Sequence, residues 1–274
     1  MLFEEIRYTD CAFFDSHAHY YDDRFYGEEN PEGADALLSL LFERGLLGVV
    51  NVSACYHASL KIIEQAKRFE KMYVSVGVHP EELESEGMSY IEQIERIRAL
   101  AQNRDENKVV AIGEIGLDYY WRQDTKAEQQ DCFERQLELA RELSLPVIIH
   151  DREAHGDCFE TVLRYPDVKG VFHSYSGSAE MARELVKRGW YISFSGVVSF
   201  KNAAKIKDVA AVVPDDRILI ETDAPYLAPH PFRGKINHSG RLFYTASALA
   251  EARGTDVRTI SKLTYRNARE LFGI

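Results

Sequence analysis

The segment Phe13-Phe14-Asp15-Ser16-His17-Ala18-His19 begins apolar and closes on two histidines two positions apart. On an extended chain residues i and i+2 point to the same side, so both imidazoles can meet one ion without bending the backbone. An H-x-H spacing alone arises by chance. Its weight comes from repetition, because other short apolar runs also end on a side chain able to hold a metal. His79 ends the run in GVHP and Glu114 the run in AIGEIGLD; His150 follows PVII, His173 follows GVF and Asp223 follows ILIET.

The apolar runs lie at 11–15, 48–52, 73–78, 109–112, 147–149, 171–172, 191–194 and 218–220. Most are continuous rather than alternating, the pattern of parallel strands buried on both faces. Helical periodicity fills the intervals between them. Within 128–143 Phe133, Leu137, Ala140 and Leu143 recur at spacings of three and four; 59–69, 178–189 and 256–272 read likewise, with Gly189 suited to a helix C-cap. Eight strands alternating with helices over about 250 residues predict an α/β fold, a (β/α)8 TIM barrel in a single domain over 1–274. A doubly wound open sheet is the competing architecture. In the barrel every strand ends on one face, which would gather His17, His19, His79, Glu114, His150, His173 and Asp223 at one mouth.

With 274 residues, 45% of them hydrophobic and 28% charged, the chain can bury a large core. This composition excludes a disordered tail, a collagen repeat and a small disulfide scaffold. No apolar run approaches the ~18 residues of a membrane span. The opening MLFEEIRYTD carries early acids and no apolar stretch, so no signal peptide is expected. Lys and Arg number 33 against 44 Asp and Glu, a formal charge of -11, which argues against a broad basic face for duplex nucleic acid. Cys11, Cys55, Cys132 and Cys158 form no C-x-x-C pair, so a thiolate zinc site is not expected and a reducing cytoplasm is.

Four histidines and two carboxylates suit borderline divalent ions better than calcium. Six donors exceed the needs of one catalytic zinc, so two ions sharing a carboxylate is the economical reading. Glu221 competes with Asp223, being two residues away on the same strand face, but Asp223 lies further out. Asp15 is expected to support the histidine pair from behind. His57, His155 and His230 read as ordinary hydrogen-bonding residues.

These stretches resemble the TatD family of metal-dependent hydrolases, a branch of the amidohydrolase-like barrels. The resemblance rests on FFDSHAHYYD, VSVGVHPEE, VVAIGEIGLDYY, LPVIIHDREAH, GVFHSYSGS, YISFSG and ILIETDAPYLAP, and continues through RGKIN and NARELFGI. It implies that His17, His19, Glu114 and Asp223 hold one ion and that Glu114, His150 and His173 hold the second, with Glu114 as the bridge. The activity it implies is phosphodiester hydrolysis, a deoxyribonuclease trimming DNA from an end with two divalent ions drawn from zinc, manganese, magnesium, iron or nickel. Asp223 would orient the attacking water and take its proton, with Glu114 as the other catalytic carboxylate. His79 and Arg152 would meet the phosphate; Asp118 and Tyr119, just past Glu114, would line the pocket, with a turn role for Asp118 as the equal alternative. Tyr119-Tyr120-Trp121 can stack on bases or cap the rim, and Arg122, Lys201, Arg233 and Lys235 can add local positive charge. DNA, single-stranded or frayed, is the expected partner; neither a membrane nor an obligate protein partner is. Hydrolysis of a small ester, amide or lactone, or of an aminoacyl-tRNA, is the alternative on the same barrel.

The chain departs from the family pattern in three places. Asn237 is followed by His238 and Ser239 where the family usually reads Asn-Glu-Pro, and Asp151 and Ser174 stand where cysteines are usual. None of these changes removes a proposed ligand, and His238 can add one.

Overall fold

The computed structural model describes residues 11–26 and 33–274; MLFEEIRYTD, on which the signal-peptide expectation rests, lies outside the described residues. The runs form strands β1 (Phe14–Ala18), β2 (Gly48–Val52), β3 (Met72–Val76), β4 (Val109–Asp118), β5 (Val147–Arg152), β6 (Gly170–Phe172), β7 (Tyr191–Phe194) and β8 (Ile218–Ile220). They line up in chain order in one parallel sheet. The sheet then meets itself. Ala18 and Ala224 form a parallel bridge, the His19 N–H donates to the Ala224 carbonyl at 2.7 Å, and the Asp223 N–H donates to the His17 carbonyl at 2.9 Å. The result is a nearly closed TIM barrel, not an open doubly wound sheet.

Helices α1 (Ala34–Glu43), α2 (Tyr56–Ala66), α3 (Tyr90–Gln102), α4 (Lys126–Leu143), α5 (His155–Leu163), α6 (Ala179–Lys187), α7 (Ala204–Val212), α8 (Leu242–Arg253) and α9 (Val257–Phe272) accompany the strands. Their ends follow local chemistry. Ser89, Ser178 and Asp256 accept N-terminal amides of α3, α6 and α9 through their side chains, and Gly254 and Gly273 end α8 and α9 in the left-handed region. Gly189, with φ +88°, lies just beyond α6 as expected. Among the described residues no helix is long and apolar enough to cross a membrane.

Alternation along the strands divides the core in two. Phe13, Val49, Val74, Val109, Val147 and Ile192 join the layer packed by the helices. Phe14, Val50, Val110, Ile148, Val171 and Leu219 form a separate cluster with Phe272 of α9, the filling of the barrel itself. The site therefore has an apolar floor.

Three boundaries differ from expectation in the same direction. The first run is expected at 11–15, yet β1 is Phe14–Ala18; the fourth is expected to stop at 112 and the fifth at 149, yet β4 continues through Asp118 and β5 through Arg152. Polar residues remain in the ladder because neighbouring strands continue to pair there, with Gly116 opposite His150 and Asp118 opposite Arg152. His17 thus lies within a rigid strand and not on the loop after it.

Candidate metal centre

Glu114 is the centre of the mouth. Its two oxygens face two different sets of groups. Oε2 lies 3.3 Å from His17 Nε2 and 3.7 Å from His19 Nε2. Asp223 Oδ1 completes that side, 3.6 Å from His17 Nε2 and 3.3 Å from His19 Nε2. Oε1 lies 2.7 Å from His150 Nδ1, 2.8 Å from His173 Nε2 and 3.6 Å from His79 Nε2. All six expected donors converge, together with His79.

For His19, His150 and His173 the hydrogen bonds behind the ring decide which nitrogen is presented; His17 Nδ1 is buried with no partner among the described residues. The Val52 carbonyl accepts from His19 Nδ1 at 2.8 Å, leaving the Nε2 lone pair to face inward. Glu221 Oε1 lies 3.2 Å from His173 Nδ1 and also accepts the Ser174 N–H at 2.8 Å, so His173 likewise presents Nε2. Asp118 Oδ2 lies 3.0 Å from His150 Nε2 and leaves Nδ1 toward Glu114. Carboxylate or carbonyl partners of this kind orient imidazoles for metal binding. His79 is turned the other way: its Nδ1 accepts the Glu81 N–H at 3.2 Å, so the neutral ring directs an Nε2–H into the mouth. It offers a donor and not a lone pair.

Charge balance in the mouth supports the same chemistry. Burial works to raise the Glu114 pKa, but His173, His17 and His79 and the bond with His150 outweigh it and hold the carboxyl well below its ordinary range. Burial would lower His150, yet Asp118 and Glu114 pull it up to about 9. Burial and the neighbouring His150 push His79 down to about 3, so it stays neutral. His17 and His19, with their nitrogens only 3.0 Å apart, cannot both turn a proton toward the other. Converging lone pairs, an anionic carboxylate between them and fixed ring orientations fit a pair of divalent cations. Local groups that could hold an ion are His17, His19 and Glu114; His79, Glu114 and His150; and His17, His173 and Glu221. In the last group Glu221 Oε1 supports the His173 ring and the Ser174 amide, while Oε2 is buried with no hydrogen-bond partner among the described residues and is open to an ion.

A family model described as "TatD related DNase" matches residues 14–273. The chain belongs to the TatD-related DNase family. It is 37% identical over 271 residues to the metal-dependent hydrolase YabD of Bacillus subtilis, covering 95% of this chain and 99% of that protein. It is 36% identical over 263 residues to the metal-dependent hydrolase YcfH of Escherichia coli K12, covering 95% of each. The crystal structure of the TatD homologue YjjV from Escherichia coli K12 superposes with a TM-score of 0.85 at 28% identity, covering 97% of this chain and 99% of that one. As a TatD-family protein, the chain is a metal-dependent hydrolase.

Several rim residues sit differently from the sequence expectation. Asp118 takes the turn role rather than the pocket-lining one: it is fully buried, with one oxygen on His150 and the other accepting the Tyr120 and Trp121 amides at 2.9 and 2.8 Å. Tyr119 turns outward, donating its hydroxyl to Asp157 at 2.7 Å with Lys126 Nζ 4.1 Å from its ring centroid. Its side chain follows the strand alternation away from the mouth. Arg152 remains on the rim, 4.3 Å from the Tyr120 ring. Asp15 supports the histidine pair through the backbone, as expected, accepting the His17 N–H at 3.3 Å, and it also braces the barrel seam. It accepts from the Thr222 N–H at 2.9 Å, Thr222 Oγ1 at 2.5 Å and Ser239 Oγ at 2.6 Å, and burial pushes its pKa up to about 7. His238 joins none of the metal-capable groups among the described residues; it is fully buried, and Ser239 beside it supplies the brace to Asp15.

Glu221 and Asp118 were undervalued as orienting carboxylates. The signal existed: Asp118 is four residues beyond Glu114, and Glu221 two before Asp223, spacings that share a strand face.

Proposed function

We propose that this protein is a divalent-metal-dependent phosphodiesterase that cleaves DNA, acting on single-stranded or frayed ends. The observation that carries the reading is the division of Glu114, with one carboxylate oxygen facing His17, His19 and Asp223 and the other facing His150 and His173. In this reading the first set and the second set each hold one ion, with Glu114 between them. Divalent ions bound there lower the pKa of water and neutralise charge developing on a phosphate.

The chain's own groups have distinct tasks. Asp223 sits with φ +56°, which turns its carboxylate over the histidine pair, and it receives the proton of the attacking water. His79 donates Nε2–H to a nonbridging phosphate oxygen, and Arg152 offers a guanidinium to the strand beside it. His173 and His150 are kept in position by Glu221 and Asp118. Catalysis proceeds without a basic face, which suits a chain of charge -11. The four free cysteines suit a cytoplasmic location.

The test pairs metal analysis with an assay on end-labelled single-stranded DNA, using native, chelated and remetallated protein. Stepwise shortening that vanishes on chelation and returns with metal is expected. Hydrolysis of carboxylic esters, lactones or aminoacyl-tRNA under the same conditions, with DNA left intact, would overturn the phosphodiesterase reading.

A further inference from the structure

Tyr120 and Trp121 lie just past the end of β4 at the C-terminal rim and are 54% and 59% exposed. Their rings meet edge to face, with centroids 4.7 Å apart and an interplanar angle of 87°. The Arg152 guanidinium, at the end of β5, lies 4.3 Å from the Tyr120 centroid and 5.4 Å from that of Trp121. This cluster is fixed to the metal centre. Asp118 accepts the Tyr120 and Trp121 amides with one oxygen and faces His150 with the other, while the Tyr119 N–H donates to the Arg152 carbonyl at 2.9 Å. One buried carboxylate therefore sets the distance between the aromatic pair and the reacting centre.

We propose that Trp121, backed by Tyr120 and Arg152, is a stacking platform for an unpaired nucleobase of the strand being cleaved. The proposal rests on the phosphodiesterase reading and deepens it by assigning the side chain that captures a base of the single strand. Two observations favour a base over a phosphate track. Next to the platform lies a cleft of about 640 Å³ lined by Glu81, Glu84, Glu86 and Glu128, with Arg122 as its cation. That surface repels a polyanionic backbone and denies a duplex the cationic walls it needs. A nucleobase is uncharged, and any base offers a face to an indole, so stacking captures a strand without sequence preference. Paired bases have their faces covered. Only an unpaired one can reach Trp121.

The molecule carries its own probe. It has two tryptophans, and Trp190 is 2% exposed, against Phe172 in the core. A ligand at the rim therefore quenches Trp121 selectively. The metal-loaded protein would be titrated with phosphorothioate-linked octathymidylate and with the same backbone lacking bases, each carrying a fluorescein whose anisotropy reports binding. Octathymidylate is expected to bind more tightly than the abasic strand and to quench tryptophan emission on saturation. Trp121→Phe should keep the binding and lose the quench. Trp121→Ala should weaken octathymidylate about tenfold or more and leave the abasic strand unchanged. Equal weakening of both strands, binding without quenching, or no binding of octathymidylate would each overturn the platform. Base-dependent quenching without cleavage of an unmodified strand at any divalent metal would overturn the phosphodiesterase reading and leave the platform standing.

Discussion

Glu114 has a carboxylate whose two oxygens serve different partners, and a one-atom change separates that function from folding. Glu114→Gln keeps the size of the side chain but removes the anion. We expect the variant to lose both metal ions and all hydrolysis while its circular dichroism spectrum stays that of a barrel; normal metal content would exclude the bridging role. His238 illustrates the opposite kind of residue. Both its ring nitrogens lack a hydrogen-bond partner among the described residues, and burial, then the charge of Arg241, hold its pKa down to about 3. The unfolded chain takes up a proton near pH 6.5, whereas the native state does not until near 3. Stability from this neutral residue is thus complete above about pH 6.5 and is lost as pH falls through that window, at about 1.4 kcal/mol per pH unit. His238→Leu should flatten the dependence between pH 6.5 and 4, measured by urea unfolding at several pH values. An unchanged slope would show that another group titrates.

At the level of elements, the site depends on how closely β4 and β5 run beside each other. Gly116 has φ +142°, and a Cβ there would stand 2.0 Å from the His150 carbonyl oxygen. Only a residue without a side chain lets β4 pass beside β5 while Glu114 and Asp118 both reach the His150 ring. Gly116→Ala should therefore cost about 3 kcal/mol in urea unfolding and weaken metal binding as well. Full stability with wild-type metal affinity would mean the strands can part without moving His150. The apolar runs made these strands readable, but not their length. Hydrophobicity ends where the site begins, whereas backbone pairing continues beneath the polar residues and carries them in register.

For the whole molecule, the metal centre and the barrel seam are parts of one structure. The first proposed metal set spans β1 and the segment after β8, the two ends of the sheet, and Asp15 joins the same ends through Thr222 and Ser239. Ions bound across that seam should stabilise the folded barrel as any ligand of the native state does. At free metal about a hundredfold above the dissociation constant the gain is ~2.7 kcal/mol, which for a chain of this size raises the melting temperature by roughly 5–10 °C. Calorimetry with and without a chelator measures it; identical transitions would mean that no ion bridges the seam.

Read alone, the chain specified the barrel and the residues of its mouth, because continuous apolar runs demand a sheet covered on both sides and six of the eight runs lead to a metal-capable donor. The apolar runs left open how far each strand continues, and with it which polar residues beyond the run keep the strand's alternation. Asp118 and Tyr119 are adjacent, yet one turns in to hold His150 and the other turns out to Asp157. Nor could spacing reveal that Asp15 braces a seam or that His238 is sealed in the interior. The Asp15 role comes from hydrogen bonds between residues about two hundred positions apart, and such bonds exist only when the sheet closes; His238 is sealed by burial alone.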